Sequence, residues 1–409
     1  MRPSRITAIF AAVLLMAACE EQGTNPVPPV PLPCDDADSL KLPRFSVTAH
    51  PRDTLLPPNV AATLPHTAWA KSDSVRAFFG GKDVKLVFTL DRKMYLATWS
   101  GSAGEAEVTL LSRDDEGTGR TVGSINSPLF SPDGSKIAFA GTTRGKPGFI
   151  LDAVGAGQRA RRVLIDGITR NRVHVTADPH WYQEGPHTWV YFATLPGLVN
   201  YSDNCRQIPG ATYKAELLPT GAMDTVIRTT GIPGAYRAGI SKDGMWAGTS
   251  YATSSLYGAA DSITRVLAGG EQQCNPSMNP YPAGSKHNDY MLILAFGGHP
   301  AYHTIDNDTL VEGLHENLWI YNKDNKIVWQ CKRPDEAFYE RFDKPEWSTH
   351  PDYASAIILQ RSGDGDLYAI RIGNLADADE GKLNQAQGYL KLGAGGFTSD
   401  SYSHLWVAP

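Results

Sequence analysis

A chain of 409 residues, 42% hydrophobic and 20% charged, has the composition of a soluble globular protein and the length for a large buried core. Its net charge of −5 is spread without a long single-sign run. That excludes the basic face that a nucleic-acid partner needs to neutralise phosphates, and no nucleic acid is expected as a ligand.

The first 18 residues read as a signal peptide rather than as fold. Arg2 and Arg5 give a positive start, Ile6–Met16 is apolar, and Ala17-Ala18 lead into Cys19. The run is too short to span a bilayer as a permanent helix. Met16-Ala17-Ala18-Cys19 resembles the bacterial lipoprotein signal, in which small residues fit the peptidase and the cysteine carries the lipid. Met16 departs from the leucine usual at that place. The resemblance implies lipidation of Cys19, membrane attachment through the acyl chains, and a bacterial envelope location, periplasmic or on the outer membrane or surface. Residues 19–34 then form a tether. Gly23–Pro33, GTNPVPPVPLP, has the composition of an extended, semi-rigid spacer. An N-terminal extension follows over 35–70, and strand signals fill 71–409. Export puts Cys34, Cys205, Cys274 and Cys331 in a disulfide-permissive compartment. They allow three pairings, which spacing does not choose between. Cys205–Cys274 together with Cys34–Cys331 would pin a loop and the tether to the fold.

Leu129–Gly141, LFSPDGSKIAFAG, is an apolar run, a four-residue turn and a second apolar run. Pro fixes φ and Gly accepts φ > 0, so the chain reverses tightly between two strands. Weaker copies stand at Pro179–Thr194, Ala238–Tyr251, Asn275–Phe296 and Pro345–Leu359. They recur about 40 to 70 residues apart, and most are followed by two more strand-like runs. In the second unit, which LFSPDGSKIAFAG opens, these are GFILDAV and ARRVLI. The first unit, Lys85–Leu111, has three strands and lacks an innermost one; Ser403–Ala408, SHLWVA, is a half-copy that supplies it. The expected fold is an all-β, six-bladed β-propeller with four-stranded blades, closed by the C-terminal strand so that no sheet edge stays open. Trp406, Phe130, Trp181, Ile240, Met278 and Trp347 become equivalent positions and should pack between neighbouring blades.

SPDGSKIAFAG is similar to the repeat of TolB-type propellers, which reads roughly P-x-W-S-P-D-G-x-x-I-A-F. The similarity covers most of Lys71–Pro409 and is strongest at Pro128–Gly141. TolB itself carries a further N-terminal α/β domain, for which 35–70 is too short, so its envelope role does not transfer.

Loops that lead into innermost strands share one face of a propeller and converge on its channel. Asn126, Asp178, His180, Arg237, Asn275, Asp343, Glu346, Tyr402 and His404 are placed there as candidate binding residues. Two long insertions, Pro196–Thr212 and Gly297–Asn317, are expected on the same face. The second carries His299 and His303, added to the candidate set, with His315, Asp306, Asp308, Glu312 and Glu316. Imidazole with carboxylate suits a divalent metal, but Pro300 breaks the helix that would align His299 with His303. No metal site or other cofactor is therefore expected, with a divalent ion as the alternative. There is no G-x-S-x-G motif and no hydrolase domain after the strands. The leading reading is a non-catalytic binding or scaffold lipoprotein holding a protein or glycan partner on the loop face. The alternative is a polysaccharide-active lyase or glycosidase using Asp178, Asp343, Glu346 and the histidines 174, 180 and 404.

Overall fold

The computed structural model describes residues 47–49 and 60–61 and, from 64 to 409, all but 65–66, 92, 101–103, 113–122, 144–145, 154–162, 166–179, 194–196, 200–205, 209–210, 220–222, 234–238, 249–254, 268–273, 281–286, 295–303, 306–307, 310–316, 333–340, 360–364, 374, 376–383 and 399–400. Signal, Cys19, tether, Cys34, Cys205, Asp178, Arg237, His174, His299 and His303 lie outside these residues. So do Asp306, Glu312, His315 and Glu316.

The SPDG turn shows why these residues make hairpins. Ser131 N–H donates to the Lys136 carbonyl at 2.8 Å, and Gly134 N–H to the Ser131 carbonyl at 2.8 Å. The Asp133 carboxylate accepts from the hydroxyls of Ser131 and Ser135, and Ser131 Oγ accepts from Lys136 N–H. Ser241–Gly244 repeats the pattern: Ser241 Oγ donates to Asp243, and Trp246 N–H donates to Ser241 Oγ. Each turn satisfies its own polar groups, so the two apolar arms are free to bury their faces.

These hairpins build an all-β propeller with, among the described residues, one short helix, Ser72–Phe78. In the first sheet, Ser403–Val407 is innermost, followed by Val84–Leu90, Lys93–Trp99, Glu107–Ser112 and Val60–Ala61. Leu405 stands opposite Leu86, so the C-terminal strand does join the first unit. The second sheet is Gly123–Phe130, Lys136–Thr143 and Lys146–Ala153. The third is His180–Glu184, His187–Ala193, Ala211–Leu217 and Met223–Pro233. The fourth is Trp246–Gly248, Ser255–Gly258 and Ile263–Val266. The fifth is Cys274–Met278, Met291–Leu294, Asn317–Tyr321, Ile327–Lys332 and Asn384–Gln385. The sixth is Arg341–Trp347, Tyr353–Leu359, Gly365–Arg371, Gly388–Phe397 and Ala68–Trp69.

Two expectations are corrected here. Among the described residues, five sheets carry a regular innermost strand, not six. In the fourth, that strand shrinks to one bridge, Ile240 opposite Ala247. The cause is local: Gly239, at φ +73°, stands where the other copies have an ordinary strand residue. The blades are also not uniformly four-stranded. Val163–Ile165 pairs with Val47–Ala49 instead of joining the second sheet, and three sheets gain a fifth strand.

The core lies between sheets. Trp406 and Phe130 pack with Phe139 and Val87 between the first and second sheets. Tyr182 and Tyr191 meet Ile240 and Tyr257 between the third and fourth. Met278 meets Leu256 between the fourth and fifth, and Trp347 meets Trp329 between the fifth and sixth. The Trp406 ring lies on Gly134 of the second sheet's turn, with its Nε1–H donated to the Pro132 carbonyl at 3.2 Å. A Cβ on Gly134 would fall 2.4 Å from that ring, and Gly134 has φ +66°. Gly134→Ala should therefore lower stability by about 2–4 kcal/mol, from left-handed strain plus overpacking. The check is a lower denaturant midpoint at unchanged m-value.

Candidate functional site

Where the innermost strands begin, three copies share a device that the sequence reading did not use. Residues Ser127-Pro128, Asn275-Pro276 and Lys344-Pro345 stand at the same place in the second, fifth and sixth sheets, and each coincides with a register shift in the inner hairpin. Ser127 and Lys344 have φ of +48° and +46°. Proline removes a ladder donor and the strand bulges, and in the second and sixth sheets the residue before it, Ser127 or Lys344, lines the opening. The signal was present as the recurring X-Pro just before Phe130, Met278 and Trp347.

These strands enclose a channel. Its proximal mouth, about 30 Å³, is lined by Ser127, Pro128, Leu129, His180, Pro276, Lys344, Pro345, Glu346, Tyr402 and Ser403. The Lys344 ammonium sits 3.9 Å above the Tyr402 ring, a cation–π contact. Beyond it lies a cavity of about 80 Å³, walled by Phe130, Trp181, Ile240, Met278 and Trp347, with His180, Glu346, His404 and Lys242. The inner apolar positions thus serve as packing and as cavity wall at once.

Of the expected site residues, the structure brings His180, Glu346 and His404 together on this cavity. His404, 6% exposed, is committed to the scaffold. Its Nδ1 accepts from the Phe130 N–H at 2.9 Å, which fixes the proton on Nε2. A backbone bond to Trp347 uses that proton. Trp347 N–H is already given to Ser277 Oγ at 3.0 Å, so the acceptor is the Trp347 carbonyl. One imidazole therefore ties the first, second and sixth sheets. Burial, then the nearby His180, push its pKa down to about 3, against the pull of the Trp347 bond. His404 is neutral at any ordinary pH.

Glu346 accepts from Ser277 Oγ at 2.5 Å, linking the fifth and sixth sheets. The His180 ring lies flat on Gly239, where a Cβ would come within 2.5 Å of Nδ1. Asp343 is 7% exposed, and lies before the register shift, in the sheet and off the cavity lining. Asn275 is placed by its backbone in Cys274–Met278, and Asn126 in Gly123–Phe130. Asp308 lies in the small hairpin of Thr304–Ile305 and Asp308–Thr309. Cys331 is buried in the core between the fifth and sixth sheets, and burial pushes its thiol pKa up. Among the described residues, no group of three or more His, Cys, Asp or Glu side chains is arranged to hold a metal. None of the described helices is long and apolar enough to cross a membrane.

No family model matches the chain, and no curated protein matches it. Solved structures do. TolB from Acinetobacter baumannii is similar at 10% identity and a TM-score of 0.45, over 82% of this chain and 70% of that one. A putative TolB from Agrobacterium tumefaciens is similar at 12% identity and a TM-score of 0.39, over 80% and 99%. The C-terminal WD40 domain of Sif2 is similar at 10% identity and a TM-score of 0.36, over 83% and 88%. Identities and scores this low carry no conclusion about family or activity. The propeller rests on the sheets described above.

Proposed function

We propose that this chain is a lipid-anchored module of the bacterial envelope, whose six-bladed propeller holds a protein partner at its proximal mouth. The count of six takes the fourth sheet as a blade with a reduced innermost strand. Its Ser241–Gly244 turn, bonded as Ser131–Gly134 is, supports that reading. The lipid anchor rests on Met16–Cys19 and the proline-rich tether after it.

The observation that carries the binding role is the backbone of the mouth. Ser127 and Lys344 are held in left-handed conformations at equivalent X-Pro bulges, each costing about 1–3 kcal/mol. A fold that retains such strain twice at one opening presents those side chains for recognition. His404 and Glu346, which could have served chemistry, are instead bonded to Phe130, Trp347 and Ser277. Pro128, Leu129, Pro276 and Pro345 make an apolar wall beside Tyr402, which suits an inserted polypeptide side chain. Tyr402 under Lys344 is the anchor an interface uses.

Residues 20–409 immobilised on resin should retain an envelope protein from detergent-solubilised bacteria. Tyr402→Ala with Lys344→Glu should weaken its capture about thirtyfold, roughly 2 kcal/mol, at unchanged melting temperature. Cys19→Ser should move the full chain from the membrane to the soluble fraction. Equal capture by wild type and the double variant would refute the assigned mouth.

A further inference from the structure

The repeat itself shows where the distal end of the channel departs from its own pattern. Two residues after each innermost apolar position stand Ala408, Pro132, Gln183, Lys242, Pro280 and Thr349. One of the six is charged. Lys242 belongs to the Ser241–Gly244 turn, whose internal hydrogen bonds fix its backbone, and its partly buried side chain lines the cavity.

Among the described residues, nothing accepts a hydrogen bond from Lys242 or pairs with its charge. Asp243 spends its carboxylate on Ser241, Met245 and Asn288. Glu346, on the lining of the same cavity, accepts from Ser277 Oγ and makes no ion pair with Lys242. The charge Lys242 does meet is repulsive: with Lys82 it pushes the pKa of His350 down, after burial and against Asp352. Burial alone shifts Lys242, downward, and no carboxylate pulls it back. A partly dehydrated ammonium with no counter-charge destabilises the free protein, and an apolar residue in its place would not. Phe130, Trp181, Ile240, Met278 and Trp347 supply apolar walls beside it. A cation at the end of an aromatic-lined hole complements an anion with an apolar body.

We propose that the distal part of the channel binds an organic carboxylate, its head paired with Lys242 and its apolar body against Trp181, Met278 and Trp347. One ammonium suits the single charge of a carboxylate; a phosphate would call for the several converging donors of an arginine fork or a nest of backbone N–H groups. The carboxylate can belong to a free small molecule or to the C-terminus of a partner chain. This site adjoins the proximal mouth, with which it shares Leu129, His180 and Glu346, but Lys242 lines only the distal part, so variants at Lys242 test it apart from Tyr402 and Lys344.

The test titrates 3-phenylpropionate, its neutral amide, acetyl-Ala-Phe with a free C-terminus, and its C-terminal amide into the mature protein. Calorimetry and tryptophan fluorescence read the binding. At least one acid should bind tenfold or more tighter than its amide. Lys242→Met and Lys242→Gln should abolish that preference, Lys242→Arg should keep it, and unliganded Lys242→Met should melt at or above the wild-type temperature. Tighter binding of phenylpropionate points to a small-molecule source, and tighter binding of the peptide acid to a chain terminus. Equal affinity for acid and amide, a preference that survives Lys242→Met, or no binding of either acid would overturn the site.

Discussion

A chain ending at residue 400 should fail to fold cooperatively. The missing segment contains Ser403–Val407, all five residues buried, which pairs along Val84–Leu90 as the innermost strand of the first sheet. Leu405, Trp406 and Val407 each contribute about 1.5–3 kcal/mol of apolar burial. Their loss also strips the Val84–Leu90 ladder and the bonds of Val407 and Ala408 to Thr349 and Asp83. Together these terms approach the roughly 5–15 kcal/mol that holds a whole domain. The ring would open at its closure, exposing Leu86 and Phe88 along a bare edge. The expected result is loss of a sharp melting transition and gain of binding to a hydrophobic dye. A synthetic peptide of residues 400–409, added in excess, should restore part of the transition. A truncated chain melting within about 5 °C of the full one would show that the closure contributes little.

That strand was legible as a half-copy because SHLWVA matches the start of LFSPDGSKIAFAG, and hairpin chemistry is local. The SKDG turn was legible for the same reason: Ser241 and Asp243 make the bonds of Ser131 and Asp133. What the sequence hid depended on other sheets. Gly239 broke the innermost strand of the fourth sheet, yet its reason for being glycine is the His180 ring of the third. The fifth strands Val60–Ala61, Ala68–Trp69 and Asn384–Gln385 have two residues each, too few for any periodicity. The X-Pro repeats were visible, but residues before proline are ordinarily extended, so left-handed Ser127 and Lys344 run against the local rule. At the site, convergence of His180, Glu346 and His404 followed from equivalent positions in the repeat. Their commitments did not: the backbone donor that fixes His404 is 274 residues away.

His404 is where that hidden commitment has the largest measurable consequence. His404→Ala should cost about 3–5 kcal/mol. It strands the buried Phe130 N–H and Trp347 carbonyl, at about 1–3 kcal/mol each, and leaves part of the ring's volume empty. The pH dependence separates this role from one in chemistry. The folded pKa of about 3 lies below the ordinary histidine value of 6.5. Between those values the unfolded chain holds a proton that the folded one refuses. Stability is therefore full above about pH 6.5 and falls as the pH drops toward 3, by at most about 1.4 kcal/mol per unit from this group. His180, next to it, adds to the refusal while it carries charge. His404→Gln can accept from Phe130 and donate to Trp347 without titrating. It should be weaker than wild type at pH 7 and lose less between pH 6.5 and 4. Denaturant unfolding of both proteins across that range reads the difference, and parallel slopes would remove His404 as the acid-sensitive tie between the sheets.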